Sequence, residues 1–183
     1  MMPAVGNFLT NRNFFGGEIS ADIEFVSVSP RAACEIMVYY NPATRGFVTA
    51  GLGGAGMFSI RTFFNQWSVV AFTGDHDNLE SHHPYDLMVK VLGSQISPRV
   101  DGVEVLQTQL PIPLPGSQVG VWCLSDAEIR VSNFSVVSQI PRIFVVMQFS
   151  SPFNEIYLEV IQQVCRELGL EPRRADEPPT GRA

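Results

Sequence analysis

The fold is decided by the stretch YDLMVKVLGSQISPRVDGVEV, residues 85–105. Leu87, Val89 and Val91 alternate with side chains suited to solvent, and this period of two is expected of a strand with one buried face. After a break at residues 93–94, a second extended run leads into Asp101-Gly102, a pair that tolerates the positive φ angles of a type I′ hairpin turn. The stretch therefore predicts consecutive antiparallel strands joined by tight turns.

The same alternation recurs on both sides of this stretch. A change of phase near Asn133 indicates a β-bulge, and three prolines within residues 106–116 are typical of a connection between sheets. Together these patterns predict a mainly β chain built as a sandwich. The further predicted strands cover residues 16–29, 34–40, 47–52, 57–63, 66–72, 118–124 and 128–137.

Composition excludes several classes of protein. The chain has 183 residues, 45% of them hydrophobic and 16% charged, which suits one packed domain plus an appendage. The net charge of −6 and the absence of a basic run before residues 173–174 argue against nucleic-acid binding. No apolar stretch approaches the ~18 residues of a membrane span, and no secretory leader is visible. We expect a cytoplasmic protein without membrane contact.

Two motifs imitate cofactor or metal sites. Residues 51–56 match G-x-G-x-x-G, but β-branched and aromatic residues follow where a dinucleotide site needs a helix, so we predict a glycine-rich hairpin loop and no cofactor.

The polar stretch TGDHDNLESHHP, residues 73–84, holds all three histidines. Imidazoles and carboxylates at short spacing suit a divalent ion, yet no fixed metal-binding spacing occurs. We favour a solvated loop, and keep Asp75, His76 and Asp77 as ligand-binding candidates.

The three cysteines lie far apart in the sequence, at Cys34, Cys123 and Cys165, with no Cys-x-x-Cys pair to hold zinc. The first two fall inside predicted strands, where a thiol behaves as a small hydrophobic group. We predict buried, reduced cysteines.

Residues 14–137 resemble the concanavalin-like, laminin-G-type family. The resemblance rests on the opening strand GEISADI (residues 17–23), on YDLMVKV (85–91) and VDGV (100–103), and on GVW (120–122) and VSNFSV (131–136). It implies two stacked antiparallel sheets in a jelly roll. It also implies a binding module for sugars, peptides or proteins.

Glycan-cleaving members of that family carry E-x-D-x-x-E on one strand. This chain has Glu18, Asp22 and Glu24 at a different spacing, so hydrolysis by that route is not expected. Since sugars stack on aromatic faces, Trp67, Tyr85 and Trp122 are the aromatic binding candidates, against the alternative that each is a core residue. We predict no catalytic residue and no metal ligand.

A different pattern begins at residue 139. The apolar run at 143–147 is typical of a parallel strand covered on both faces, and Ser150, Ser151 and Pro152 suit a helix start. A helical apolar stripe then runs from Phe153 to residue 168, with Gly169 placed to end it. We therefore divide the chain into a sandwich, residues 1–138, and a β-α(-β) extension, residues 139–183.

This extension resembles the opening unit of the nucleoside 2-deoxyribosyltransferase-like and TIR-like group. The resemblance implies a nucleotide- or NAD-handling domain whose first loop, here Gln148, Phe149 and Ser150, lies beside the nucleotide. In that group the catalytic glutamate comes from later elements, so we expect no catalysis by these residues alone.

We therefore predict a non-catalytic recognition module for a glycan or a protein ligand, placed before a truncated nucleotide-processing domain. Two alternatives stay open. One is an enzyme: a glycan hydrolase using carboxylates such as Asp75 and Asp77, or a nucleosidase assembled from two chains. The other is a structural oligomerisation unit without a ligand. Independently of the function, the C-terminal helix is the candidate surface for a homodimer.

Overall fold

The computed structural model describes residues 4–11, 13–139, 142–167 and 170–176. The chain divides into two compact units, Met1–Ser138 and Gln139–Ala183. No helix in the described ranges is long and apolar enough to cross a lipid bilayer.

The described part of the first unit consists of β-strands and one short 3₁₀ turn, His76–Asn78. Its strands are β1 (Ala4–Leu9), β2 (Gly17–Phe25), β3 (Ala33–Asn41), β4 (Gly46–Leu52), β5 (Phe58–Phe64), β6 (Gln66–Thr73), β7 (Pro84–Leu92), β8 (Gln95–Val100), β9 (Val103–Glu104), β10 (Thr108–Gln109), β11 (Gly120–Ser125) and β12 (Ile129–Ser138).

These strands form two antiparallel sheets. Sheet I has the order β1-β11-β3-β4-β5-β6, and sheet II has the order β10-β8-β7-β2-β12 with β9 paired to β8. Strands that are distant in sequence, such as β11 and β3, are neighbours in a sheet because the chain crosses between the two sheets. This arrangement confirms the predicted antiparallel jelly-roll sandwich.

The hydrophobic core fills the space between the two sheets. Strand β2 alternates strictly between buried and half-exposed residues, as the sequence pattern predicted. Ile19, Ile23 and Phe25 of sheet II are fully buried in the same cluster as Ile36 and Ile60 of sheet I. Each such side chain contributes roughly 1.5–3 kcal/mol on burial, so this shared core holds the sheets face to face.

The turns follow the sequence closely. Asp101 and Gly102 have φ angles of 52° and 79°, which confirms the predicted type I′ hairpin between β8 and β9. The predicted bulge is also confirmed, since the β12–β2 register shifts between Ser132 and Ser135 around Asn133, whose φ is 51°. Strand β1, which the sequence patterns did not predict, pairs with β11 over its whole length.

The second unit contains a β-α-β arrangement, as predicted. Strand β13 (Arg142–Val145) pairs in parallel with β14 (Glu171–Arg174). Between them lies a continuous helix made of α1 (Phe153–Ile156), a π-helical turn (Tyr157–Ile161) and α2 (Gln162–Glu167). Phe144 is 64% exposed, so the described residues do not cover both faces of β13. The predicted helix end at Gly169 lies outside the described residues.

Candidate functional site

The outward side of sheet I carries an unusual set of side chains. Directly paired residues in antiparallel strands point to the same side of a sheet. The register therefore places Trp122, Glu35 and Ser59 in one row across β11, β3 and β5, and Arg61 in the next row. We call this side the tryptophan face, defined by Glu35, Phe47, Ser59, Arg61, Phe63, Trp67 and Trp122.

A buried ion pair lies at the centre of the tryptophan face. Arg61 Nε donates to Glu35 Oε1 at 2.9 Å and Arg61 Nη2 donates to Glu35 Oε2 at 2.6 Å, so the ion pair is bidentate. Ser59 Oγ also donates to Glu35 Oε1 at 2.7 Å. Glu35 is fully buried and Arg61 is 8% exposed, so the carboxylate depends on these donors for the hydrogen bonds that water would otherwise provide.

Aromatic rings enclose the guanidinium group. Arg61 Cζ lies 4.0 Å from the ring centre of Trp67 and 5.1 Å from that of Trp122, both within the range of cation–π attraction. The two indole rings are 4.9 Å apart. Phe47 and Phe63 also contact Trp67 in edge arrangements, with ring centres 5.3 and 5.4 Å away. The rings therefore hold one another and the cation in a fixed arrangement.

The glycine-rich loop explains why this charged pair is buried. Gly53 N donates to Met57 O, so the G-x-G-x-x-G stretch is the predicted hairpin loop between β4 and β5. Gly54 O accepts a hydrogen bond from Arg61 Nη1 at 3.1 Å. A Cβ atom on Gly54 would lie 2.2 Å from Glu35 Oε1 and 2.4 Å from Arg61 Nε. Only glycine lets the loop lie this close to the pair.

The pair leaves hydrogen-bonding capacity unused. A guanidinium group has five N–H donors. Within the described residues, Arg61 uses Nε, one N–H of Nη1 and one N–H of Nη2. One N–H on each terminal nitrogen therefore has no hydrogen-bond partner among the described residues, and the partly exposed ring of Trp67 lies beside this group.

The structure brings together two of the predicted aromatic candidates, Trp67 and Trp122, and places Tyr85 elsewhere. Tyr85 is 3% exposed and lies in the core between the sheets, where its hydroxyl accepts a hydrogen bond from Glu80 N at 2.8 Å. Burial raises the pKa of Tyr85 above its usual value, although the hydrogen bond from Glu80 N acts in the opposite direction.

The polar candidates lie in the connection between β6 and β7. Asp75 caps the 3₁₀ turn by accepting from Asp77 N at 3.1 Å, and His76 Nε2 lies 3.0 Å from the carbonyl oxygen of Ala32. No group of three or more histidine, cysteine or acidic side chains in the described ranges is arranged to hold a metal ion. These residues stay ligand-binding predictions, and their observed contacts are those of a structured loop.

Gln148, Phe149 and Ser150, the predicted nucleotide-loop residues, lie between β13 and the helix of the second unit. Ser150 O accepts hydrogen bonds from Phe153 N and Asn154 N at the helix start. The ring of Phe149 is 52% exposed and lies 5.3 Å from Arg174 Cζ.

Sequence reasoning missed Glu35 and Arg61. The strands ACEIMVYYN and FSIRTFF each contain a single charged residue among apolar and aromatic neighbours, and that isolation was the available signal. The two residues are 26 positions apart, and only the β3–β4–β5 register brings them together. By contrast, Glu18, Asp22 and Glu24 lie on the outward side of sheet II, and the residues adjacent to them in β2 are buried.

Comparison with known proteins identifies the fold and no family. No protein-family model and no curated protein matches the chain. Among solved structures, the chain resembles the CBM66 carbohydrate-binding module from Bacillus subtilis, with a TM-score of 0.61 at 16% identity over 71% of this chain and 80% of that one.

Two further structures share the fold at lower similarity. A tetrameric galectin from the ball sponge Cinachyrella sp. matches with a TM-score of 0.50 at 10% identity, over 72% of this chain and 98% of the galectin. A native glycosidic hydrolase matches with a TM-score of 0.51 at 13% identity over 67% of this chain, which spans 57% of that enzyme's length. The chain thus has the jelly-roll fold of carbohydrate-binding modules, galectins and glycoside hydrolases.

Proposed function

We propose that the sandwich is a non-catalytic glycan-recognition module that binds sugar on the tryptophan face. The observation that carries this proposal is the position of Trp67. Its partly exposed ring lies against a guanidinium group that has two N–H donors without a partner among the described residues.

The chemistry of this face suits a sugar. A pyranose or furanose ring has an apolar C–H surface that packs on an aromatic ring, and hydroxyl oxygens around it that accept hydrogen bonds. Trp67 supplies the ring and Arg61 supplies the donors. Because Glu35 already orients the guanidinium group, little side-chain freedom is lost on binding. The ion pair has no net charge, so a neutral glycan is the expected ligand.

The comparisons support the proposal at the level of the fold. One neighbour is named as a carbohydrate-binding module and another as a galectin. Fold alone does not assign function, so the residues of the tryptophan face carry the assignment. The outward side of sheet II is a weaker candidate, since the outward residues of β2 and β7 are charged, small polar or aliphatic, and none of them is aromatic.

A glycan hydrolase is the competing function, because one neighbour is a glycosidic hydrolase. Glycoside hydrolysis of the common type needs two carboxyl groups on either side of the scissile bond. Glu35 is the single carboxylate among the six strands of sheet I, and Arg61 occupies both its oxygens. This arrangement favours binding over cleavage.

We further propose that residues 139–183 form the first β-α-β unit of a nucleotide-handling domain. The parallel pairing of β13 with β14 across a helix supports this assignment. Phe149, placed near Arg174, would then contact the nucleotide with Gln148 and Ser150. Release of nicotinamide from NAD by the full chain would show that the chain itself has catalytic activity.

A homodimer through the C-terminal helix is a separate proposal. Light scattering on the purified full chain tests it by measuring the molar mass in solution.

A glycan array with purified full-length protein tests the recognition function. We expect saturable binding to one class of neutral oligosaccharide, and loss of that binding in Trp67→Ala. Phe144→Ala is the matched control, since it removes an aromatic ring that is 64% exposed in the other unit. Binding that survives Trp67→Ala, or an array without signal, would contradict the proposal. Release of reducing sugar from a bound glycan would favour the hydrolase.

A further inference from the structure

Cys34 and Cys123 face each other across two neighbouring strands of sheet I. They are directly paired in the antiparallel β11–β3 register, and their Sγ atoms lie 3.0 Å apart. Directly paired residues in antiparallel strands have Cα atoms about 4.5–5.5 Å apart, which falls within the roughly 4.4–6.8 Å range of disulfides. Bond formation needs the sulfur atoms to approach by only about 1 Å more.

All three cysteines of the chain are free thiols in the structure. Cys165 lies in the helix of the second unit, whereas Cys34 and Cys123 share one side of sheet I. We propose that Cys34 and Cys123 are an oxidative modification site, which closes to a cross-strand disulfide when the folded protein meets hydrogen peroxide or a similar two-electron thiol oxidant.

The two cysteines differ in access to solvent, and this difference assigns their roles. Cys34 is fully buried in the core, while Cys123 is partly exposed. The residue paired with Cys123 on the edge strand β1 is Gly6, which has no side chain and would have no atom within 4 Å of an added Cβ. Oxidant can therefore reach Cys123 first.

The directions of the two thiol pKa shifts also indicate that Cys123 is oxidised before Cys34. The pKa of the Cys123 thiol is lowered because the Cys34 thiol donates a hydrogen bond to it, an effect that outweighs the opposing effect of burial. Burial raises the pKa of Cys34 well above its usual value. Since the thiolate is the nucleophile, Cys123 is the attacking residue and Cys34 is the resolving residue.

The chemistry balances with peroxide as the oxidant. The Cys123 thiolate attacks one peroxide oxygen, the O–O bond breaks, and a proton from solvent converts the leaving hydroxide to water. Cys123 then carries a sulfenic acid. Cys34 sulfur attacks that sulfur, the S–O bond breaks, and the Cys34 proton leaves with the hydroxide as a second water. In total, two thiols lose two electrons and one peroxide molecule becomes two waters.

The test counts thiols in the full-length protein. After peroxide treatment in native buffer, titration of the unfolded protein should find one free thiol where the untreated protein has three. Non-reducing peptide mass spectrometry should identify a linked pair that contains Cys34 and Cys123. A count that stays at three, or a linked peptide that contains Cys165, would overturn the proposal.

Single variants test the assigned roles. Cys34→Ser should accumulate a sulfenic acid on Cys123 that dimedone traps, whereas Cys123→Ser should leave Cys34 unmodified at the same peroxide dose. Trapping at Cys34 instead would refute the order of events. Gly6→Val should slow disulfide formation several-fold by filling the space beside Cys123. Asn7→Val, which changes the next residue on the opposite side of β1, should leave the rate unchanged, and equal rates for both variants would refute access past β1.

Discussion

The buried ion pair permits a quantitative test of the tryptophan face. Arg61→Met keeps most of the side-chain length and the apolar contact with the indole rings, but it leaves the fully buried Glu35 carboxylate with Ser59 as its remaining hydrogen-bond donor. Removing one partner of a buried ion pair costs about 3–5 kcal/mol, because the other charge stays desolvated without compensation. We expect a loss of this size in the free energy of unfolding at pH 7.

The measurement is urea unfolding followed by far-UV circular dichroism, which reports on the sheets and not on the altered surroundings of Trp67. Lys90→Met is the matched control. Lys90 and Glu18 form a cross-strand pair at 3.8 Å with side chains that are 50% and 43% exposed, and such pairs contribute about 0–1 kcal/mol.

A double variant separates the charge effect from lost packing. Glu35→Gln combined with Arg61→Met buries no charge, so it should be more stable than Arg61→Met alone, with a coupling energy of about 2 kcal/mol in the double-mutant cycle. If Arg61→Met costs no more than Lys90→Met, or if the two substitutions are simply additive, the ion pair does not hold the tryptophan face together.

Three further predictions concern turns and titration. Gly54→Ala should lower the urea midpoint strongly, since its Cβ would lie 2.2 Å from the buried carboxylate, whereas Gly6→Ala, with nothing within 4 Å of its Cβ, should change it little. Gly102→Ala should cost about 1–2 kcal/mol, because φ is 79° there, and Gly102→Asn should cost less since asparagine tolerates this conformation. Because the pKa of Tyr85 is raised in the folded state, its neutral hydroxyl contributes stability that is fully present below pH ~10, the ordinary tyrosine pKa. This contribution is lost as the pH rises towards the folded-state pKa. Tyr85→Phe should therefore flatten the alkaline loss of stability in thermal melts between pH 8 and 11, and an unchanged slope would contradict that role.

Local patterns predicted the sandwich because its strands follow short-range rules. The alternation in β2 and β7, the turn at Asp101-Gly102 and the bulge at Asn133 all depend on residues close in sequence. Strand β1 escaped prediction because AVGNFL contains both a glycine and an asparagine, residues that weaken a strand pattern. Its pairing partner, β11, lies more than a hundred residues away.

The site was only partly predictable, for a related reason. Trp67 and Trp122 were chosen by residue type, which is a local property. The ion pair of Glu35 with Arg61 and the contact of Cys34 with Cys123 arise from sheet register, and a shift of one residue would move each side chain to the other side of its sheet. Residue type can therefore nominate single side chains, whereas their partners require the strand order.

The central claim, that sugar binds on the tryptophan face, is tested most directly by the two tryptophan side chains. The chain has only two tryptophans, so a ¹⁵N-labelled sample gives two indole N–H signals in a proton–nitrogen correlation spectrum. Titration with a glycan that binds on the array should shift the Trp67 signal saturably, with Trp122 moving as its neighbour at 4.9 Å. Indole signals that stay fixed while backbone amides of sheet II shift at the same glycan concentrations would contradict the claim.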